Sequence, residues 1–237
     1  DASMLYVAVH CEKLEVIKYL LEHGAKVNEP ICLRDRTPLT LAASKPSAVK
    51  IVELLIEKGA CVNARDKHED TALLVAARTG LDEIVQILLT HNAEMNVVDS
   101  NKRTPLIWAI SNCNLSTVKL LLDHGSCVNA RDDYENTALL LAAREGQNEI
   151  VNLLFEAVAD VSISNNYNRF ALMEEDQCSQ MQMPEFLLNH RVFVNARDEY
   201  GNTALLLAAR KGQNETVTLL LKKGADIEIY DVYKRTA

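Results

Sequence analysis

The residue types that catalysis needs are present, but their spacing does not assemble a catalyst. The histidines are His10, His23, His68, His91, His124 and His190, and four of them (His23, His91, His124 and His190) recur at one position near the end of a repeated segment. A protonated histidine there favours the C-terminal end of a helix, and a recurring position spaces the rings apart instead of gathering them round an ion. The cysteines, Cys11, Cys32, Cys61, Cys113, Cys127 and Cys178, include no Cys-x-x-Cys pair, so a zinc site is not expected. Glu174, Glu175 and Asp176 are adjacent acids with no partner carboxylate set opposite them, unlike the pair a glycosidase uses. There is no glycine-rich phosphate loop. The reading is therefore of a non-catalytic chain with no metal and no cofactor. Binding chemistry is better supplied. Arg78, Arg144 and Arg210 stand at intervals of 66, as do Arg65, Arg131 and Arg197, and Tyr134 and Tyr200; Trp108 is the only tryptophan. Arginine, tyrosine and tryptophan are the side chains favoured as interface anchors, and arginine grips carboxylates by paired hydrogen bonds.

Those intervals are set by an internal repeat. The stretch from Asn195 to Gly212 has close copies from Asn129 to Gly146 and from Asn63 to Gly80, and a column of Thr71, Thr104, Thr137, Phe170, Thr203 and Thr236 advances by 33. A period of this length means stacked supersecondary units. Within one unit, Thr203 opens a run of helix formers that ends at Gly212, and a second apolar run ends at Gly224. Threonine suits the start of a helix and glycine the left-handed position after it. Each unit thus predicts two short antiparallel helices and a polar loop, with apolar faces that only neighbouring units can cover.

These motifs resemble the ankyrin repeat family. Thr37-Pro38-Leu39 and Thr104-Pro105-Leu106 match its opening, with Ala42 and Ala109 as its following alanine; His23-Gly24-Ala25-Lys26-Val27-Asn28 and His124-Gly125-Ser126-Cys127-Val128-Asn129 match its close. The resemblance covers the whole chain. It implies an all-α ankyrin-repeat solenoid of stacked helix-turn-helix units with projecting β-turn or hairpin loops, arranged as one array over 1–237: repeats 1–29, 30–65, 66–98, 99–131, 132–163, a degenerate 164–197, 198–230, and the start of an eighth at 231–237. The family often has histidine after Thr-Pro-Leu. Here that column holds Tyr6, Thr40, Leu74, Ile107, Leu140, Met173 and Leu206, so the family's histidine–threonine hydrogen bond is missing and apolar packing between units is expected in its place.

The resemblance also implies a protein or peptide partner on the concave surface formed by loop tips and first helices. The partner-binding candidates there are Arg78, Arg144, Arg210, Trp108, Tyr134, Tyr200, Arg65, Arg131 and Arg197. Alternatives stay open for several: Arg65, Arg131 and Arg197 could simply pair with Asp66, Asp132 and Asp198; Trp108 could be core or a stacking platform; Arg78, Arg144 and Arg210 could equally pair with Glu145, Glu174 or Glu175 inside the array. Stacking would set Arg78, Arg144 and Arg210 in a row, with the uncharged Ser111 and Gln177 between them, and an acidic peptide fits such a row. Other readings are a regulatory segment of a larger enzyme or channel, or a phosphate-bearing ligand held by the arginine ladder.

The balance of charge is −8, with 48% hydrophobic residues. That argues against generic nucleic-acid or anionic-membrane binding, and no apolar run is long enough to span a bilayer. Free thiols fit a reducing, intracellular and cytoplasmic setting. The chain begins and ends inside a repeat, so it reads as a piece of a longer protein. Three irregularities carry expectations. Pro46 should sit at or just before the second helix of its unit. Val158, in a glycine column, should end its helix differently because a β-branched residue is poor at φ > 0. In the sixth unit, Glu174, Glu175 and Asp176 should be solvated or paired, and Pro184 should fall in the first turn of a shortened helix.

Overall fold

The structure is a computed structural model that describes residues 4–29, 36–173, 182–189 and 193–237. The chain packs as two units, Asp1–Cys127 and Val128–Ala237. The first holds helix pairs α1 (Met4–His10) and α2 (Leu14–Glu22), α3 (Pro38–Ala42) and α4 (Val49–Glu57), α5 (Ala72–Thr79) and α6 (Asp82–Thr90), α7 (Pro105–Ser111) and α8 (Leu115–Asp123). Within it α1, α3, α5 and α7 pack in one row and α2, α4, α6 and α8 in another. The second unit holds α9 (Ala138–Arg144) and α10 (Asn148–Glu156), a 3₁₀ turn (Ala171–Met173) with α11 (Gln182–Asn189), and α12 (Ala204–Lys211) with α13 (Asn214–Lys222). No strand occurs among the described residues; one isolated antiparallel bridge joins Arg131 and Thr137.

None of these helices exceeds nine residues, too short to persist alone in water. Burial holds them. Ala72–Ala77 in α5 and Ala138–Ala143 in α9 are buried on every side, as inner helices flanked by neighbours must be. The outer helices bury one stripe, such as Ile84, Val85 and Leu88 in α6. Thr37, Thr71, Thr104, Thr137 and Thr203 each cap an inner helix by accepting the N–H three residues on, and Pro38 and Pro105 fill first-turn positions where no donor is lost. Phe170 occupies the same column without a hydroxyl, and the described residues that directly follow it, Ala171–Met173, form a 3₁₀ turn. Pro184 does lie in the first turn of α11. Glu174, Glu175 and Asp176 lie outside the described residues. Pro46 sits in the turn that precedes α4.

The column that holds histidine elsewhere in the family is packed: Leu74, Ile107, Leu140, Met173 and Leu206 are all buried. Thr40 makes a local substitute, its hydroxyl 2.9 Å from that of Thr37. The outer-helix histidines cap helix ends: one ring nitrogen of His23, His91 and His124 lies 2.8, 2.9 and 2.7 Å from the carbonyls of Tyr19, Ile87 and Leu120. An asparagine column staples neighbouring repeats. Asn28 accepts from Cys61 N–H and donates to Gly59 O, and Asn195 does the same for Asp226 and Gly224.

Val158 corrects the expectation drawn from its shape. It adopts φ +62°, and α10 closes as its neighbours do, with Val158 N–H donating to Phe155 O and Ala159 N–H to Leu154 O, both at 2.9 Å. Its side chain is 81% exposed, so no packing conflict adds to the backbone strain, and the two cap bonds with the buried Leu154 outweigh it. Val158→Gly is expected to raise the unfolding free energy by about 1 kcal/mol, the approximate left-handed penalty of a side chain. A shift of the urea midpoint upward at unchanged slope checks it; a downward shift would place the strain elsewhere.

Candidate partner-binding surface

The loop tips are rigid because each is closed on itself by one side chain. Asp66, Asp99, Asp132, Asp198 and Asp231 are buried, and Oδ1 of each accepts the N–H groups two and four residues on. Asn165 does this work in the degenerate repeat, accepting from Tyr167 and Arg169. The residue three beyond each acid turns left-handed: Glu69, Lys102, Glu135, Asn168, Gly201 and Lys234 all have φ between +55° and +76°. The residue two beyond the acid is thereby presented at the apex. In the first unit these are His68 and Asn101. In the second unit they are Tyr134, Tyr167, Tyr200 and Tyr233, with exposures of 55, 46, 50 and 69%. Successive tips are tied by backbone bonds from Asn166 N–H to Tyr134 O, Glu199 N–H to Tyr167 O, and Val232 N–H to Tyr200 O, at 2.9–3.1 Å. The Glu199 carboxylate, hydrogen-bonded to the Tyr200 hydroxyl, holds that phenol above its usual range, with the neighbouring Tyr167 and Tyr233 adding to the effect.

The arginines fall into three situations. Arg65 and Arg131 pair with Glu69 and Glu135 at 2.9 and 2.7 Å rather than with the adjacent Asp66 and Asp132, whose Oδ1 atoms accept the backbone N–H groups of the tip; Asp66 Oδ2 lies 3.7 Å from Arg36 Nε. Arg65 also donates to Val98 O, and Arg197, whose loop has Gly201 in place of the glutamate, donates to Tyr230 O at 2.8 Å and to Gly201 O. Arg65 and Arg197 thus tie their loops to the next, while Arg131 is held within its own. In the first unit, Arg78 pairs with Asp70 at 3.0 Å and lies 5.1 Å from the centre of the Trp108 ring; Arg103 lies 4.7 Å from the same ring. Trp108 is half-buried, and its indole N–H donates to Asp99 Oδ2 at 2.9 Å. In the second unit, Arg144 meets Glu145 at 3.3 Å. Arg210 is exposed, and no ion pair among the described residues engages it. Gln177 lies outside the described residues.

Arg210 opens on a cleft of about 480 Å³ in the second unit, lined also by Arg169, Lys211, Arg235, Tyr200, Tyr233, Asn202 and Leu207. Arg235 pairs with Asp231 at 2.6 Å and lies 4.8 Å from the Tyr233 ring centre. Burial opposes charge on Asp231, but the backbone and side-chain hydrogen bonds from Arg235 and the backbone bond from Tyr233 outweigh it and lower the carboxyl below its usual value. Of the residues here, the sequence reading selects Arg210, Tyr134 and Tyr200 and passes over Tyr167, Tyr233 and Arg235. The signal that finds them is the same 33-residue step carried through the degenerate repeat and beyond the last complete one. Among the described residues no cluster of His, Cys, Asp or Glu could hold a metal ion, and no helix is long and apolar enough to cross a membrane. Cys11, Cys61, Cys113 and Cys127 are free and exposed; Cys32, Cys178 and His190 lie outside the described residues.

The family model for ankyrin repeats in three copies matches residues 1–66, 73–165 and 159–231. Ankyrin repeat and SOCS box protein 6 of Homo sapiens is 38% identical over 74 residues, 31% of this chain and 18% of that protein. An ankyrin repeat protein of Fowlpox virus (strain NVSL) is 33% identical over 63 residues, 27% of this chain and 18% of that protein. The matched stretch thus spans under a fifth of either relative's length. An ankyrin repeat domain from Acinetobacter baumannii AYE has a fold that superposes with a TM-score of 0.75 at 29% identity, covering 80% of this chain and 98% of that one. Ankyrin repeats are generally protein–protein interaction modules and typically non-catalytic. With the family match running through most of its length, the chain belongs to the ankyrin repeat family.

Proposed function

We propose that the chain is a non-catalytic protein-interaction module that binds a protein or peptide on the face its loop tips and inner helices share, the concave face of an ankyrin stack. The observation that carries this reading is the row of exposed tyrosines at the second unit's tips, Tyr134, Tyr167, Tyr200 and Tyr233, each set on a turn closed by a buried Asp or Asn. Tyrosine brings large amphipathic contact area at a low entropy cost, and tips already locked lose little further freedom on binding. The cations beside the row, Arg144, Arg169, Arg210 and Lys211, favour a partner that is acidic where it meets them. The free, exposed Cys11, Cys61, Cys113 and Cys127 fit a reducing intracellular compartment, the cytoplasm being the simplest.

The test compares capture of proteins by the wild type, by Tyr134→Ala with Tyr167→Ala, and by Glu156→Lys on the exposed side of outer helix α10. A partner retained by Glu156→Lys and weakened about tenfold or more by the tyrosine changes is the expected result, within the usual cost of truncating an aromatic anchor. A partner lost with Glu156→Lys and indifferent to the tyrosines would move recognition to the outer helices.

A further inference from the structure

Arg103 is half-buried at the foot of inner helix α7, and among the described residues no carboxylate pairs with it. The acid of its own loop, Asp99, has both oxygens in use. Oδ1 accepts the N–H groups of Asn101 and Arg103, and Oδ2 accepts the indole N–H of Trp108 at 2.9 Å. What holds the Arg103 guanidinium is the Trp108 ring, 4.7 Å from its centre. Arg78 lies 5.1 Å from the centre of the same ring and is answered by Asp70 at 3.0 Å. Two guanidinium groups thus share one ring, and one of them has a carboxylate. The ring is itself fixed. At the position of Trp108 other repeats hold Val75 and Leu141, both buried; the larger indole takes that place, bonds to Asp99 and still reaches the surface, half-buried. The cluster lies in the fourth repeat, and residues 66–163, which make up that repeat and the one on either side, are all described.

We propose that Arg103, Arg78 and Trp108 form a recognition site for a carboxylate side chain, an aspartate or glutamate of a protein partner. The inference rests on the reading of the chain as a protein-interaction module and adds a contact on the first unit to the tyrosine row of the second. The fork of Arg103 offers parallel N–H donors that match the two oxygens of a carboxylate. Stacking on the indole holds the guanidinium before the partner arrives, so little side-chain freedom is lost on binding. Arg78, held to the same ring, adds a second positive charge. A single negative charge is what fits here. Asp70 and Asp99 stand beside the site, so the dianion of a phosphorylated residue meets more like-charge repulsion than a carboxylate does. A partner's lysine or arginine is disfavoured as well, because the ring that could receive it already carries two guanidinium groups.

Trp108 is the only tryptophan, so its emission reports the site directly and no natural partner is needed. The probe is a peptide of repeated Glu-Gly-Ser, with Gln-Gly-Ser and phosphoserine-Gly-Ser peptides for comparison. The expected result is a saturable change in emission with the glutamate peptide, which binds more tightly than either comparison peptide and loses affinity as salt is raised. Arg103→Ala, followed by calorimetry because the substitution alters the ring's surroundings, should weaken binding about tenfold or more, as loss of a charge-assisted hydrogen-bonding partner does. Arg103→Lys should restore only part of it, since an ammonium group lacks the fork. Lys58→Ala, at the exposed end of outer helix α4, should leave binding unchanged. Equal binding of the glutamine peptide, no saturable change, indifference to Arg103→Ala, or an equal loss with Lys58→Ala would overturn the proposal. Tighter binding of the phosphoserine peptide would overturn the carboxylate assignment in favour of a dianion. Each of those outcomes leaves the capture experiment on Tyr134 and Tyr167 standing, so loss of this site and loss of the interaction module are told apart.

Discussion

Replacing Ile107 with alanine is expected to lower the unfolding free energy by about 2–5 kcal/mol, the cost found when a large aliphatic side chain is removed from a filled core. Ile107 is wholly inaccessible to solvent. It sits on α7, whose most extensive neighbour in the first unit is α5, and it occupies the column in which Leu74 and Leu140 are equally buried in their own repeats. Its backbone N–H is already held by the Thr104 hydroxyl at 3.2 Å, so the substitution keeps the cap and deletes only packing. Ile107→Val should cost about 1 kcal/mol by the same reasoning. In a stack, each repeat is stable only through its neighbours, so the alanine variant should also broaden the denaturation curve as the first unit separates into partly independent segments. Denaturant unfolding followed by far-ultraviolet circular dichroism measures both effects. A loss well under 1 kcal/mol would mean that α5 and α7 close over the space, and that the packing which replaces the family's histidine bond is not tight.

The repeat was legible because it is written by local rules. Threonine before an inner helix, glycine after it, and apolar residues at helical spacing act within a few positions, and the structure uses them there: Thr71 caps α5 and Gly80 ends it at φ +69°. The histidine column was legible for the same reason, since the rings of His23, His91 and His124 each bond a carbonyl four residues back. Val158 was not, because residue preference at one position is outweighed by the cap bonds and packing of the whole repeat. The pairing of Arg65 and Arg131 was hidden by competition: the neighbouring aspartates look like natural partners until the turn takes their Oδ1 atoms for backbone donors, while Oδ2 faces Arg36 in Asp66 and the Asn136 side chain in Asp132. Arg78 shows the other limit. Asp70 precedes it by eight residues, across the tip and α5, and Trp108 belongs to the next repeat, so neither contact follows from local spacing. The cleft is less legible still, because it needs Arg169, Arg235 and Arg210 from three consecutive repeats to converge.

The second large effect concerns the residue that shapes a tip. Asp132→Ala is expected to destabilise the second unit by about 2–3 kcal/mol, whereas Asp132→Asn should cost well under half of that. Asp132 is 3% exposed. Its Oδ1 accepts the N–H groups of Tyr134 and Asn136 at 2.9 Å, and its Oδ2 accepts from the Asn136 side chain at 3.2 Å. Alanine removes the acceptor and leaves donors without partners at the base of the loop, and an orphaned buried donor costs about 1–3 kcal/mol. Asparagine keeps an oxygen at the position of Oδ1, and the chain demonstrates the exchange itself: Asn165, in the equivalent place, accepts from Tyr167 and Arg169 at 3.0 and 3.1 Å. Stability should therefore separate the two variants, and binding should separate them again. The Asx turn sets the direction of Tyr134, so the alanine variant should weaken partner capture even where the repeat remains folded, while the asparagine variant captures as the wild type does. Urea titration gives the first comparison and capture below the unfolding transition the second. Equal loss of stability in both variants would show that the carboxylate's charge, and not its acceptor geometry, holds the tip. Full capture by the alanine variant would show that the turn is not what presents Tyr134.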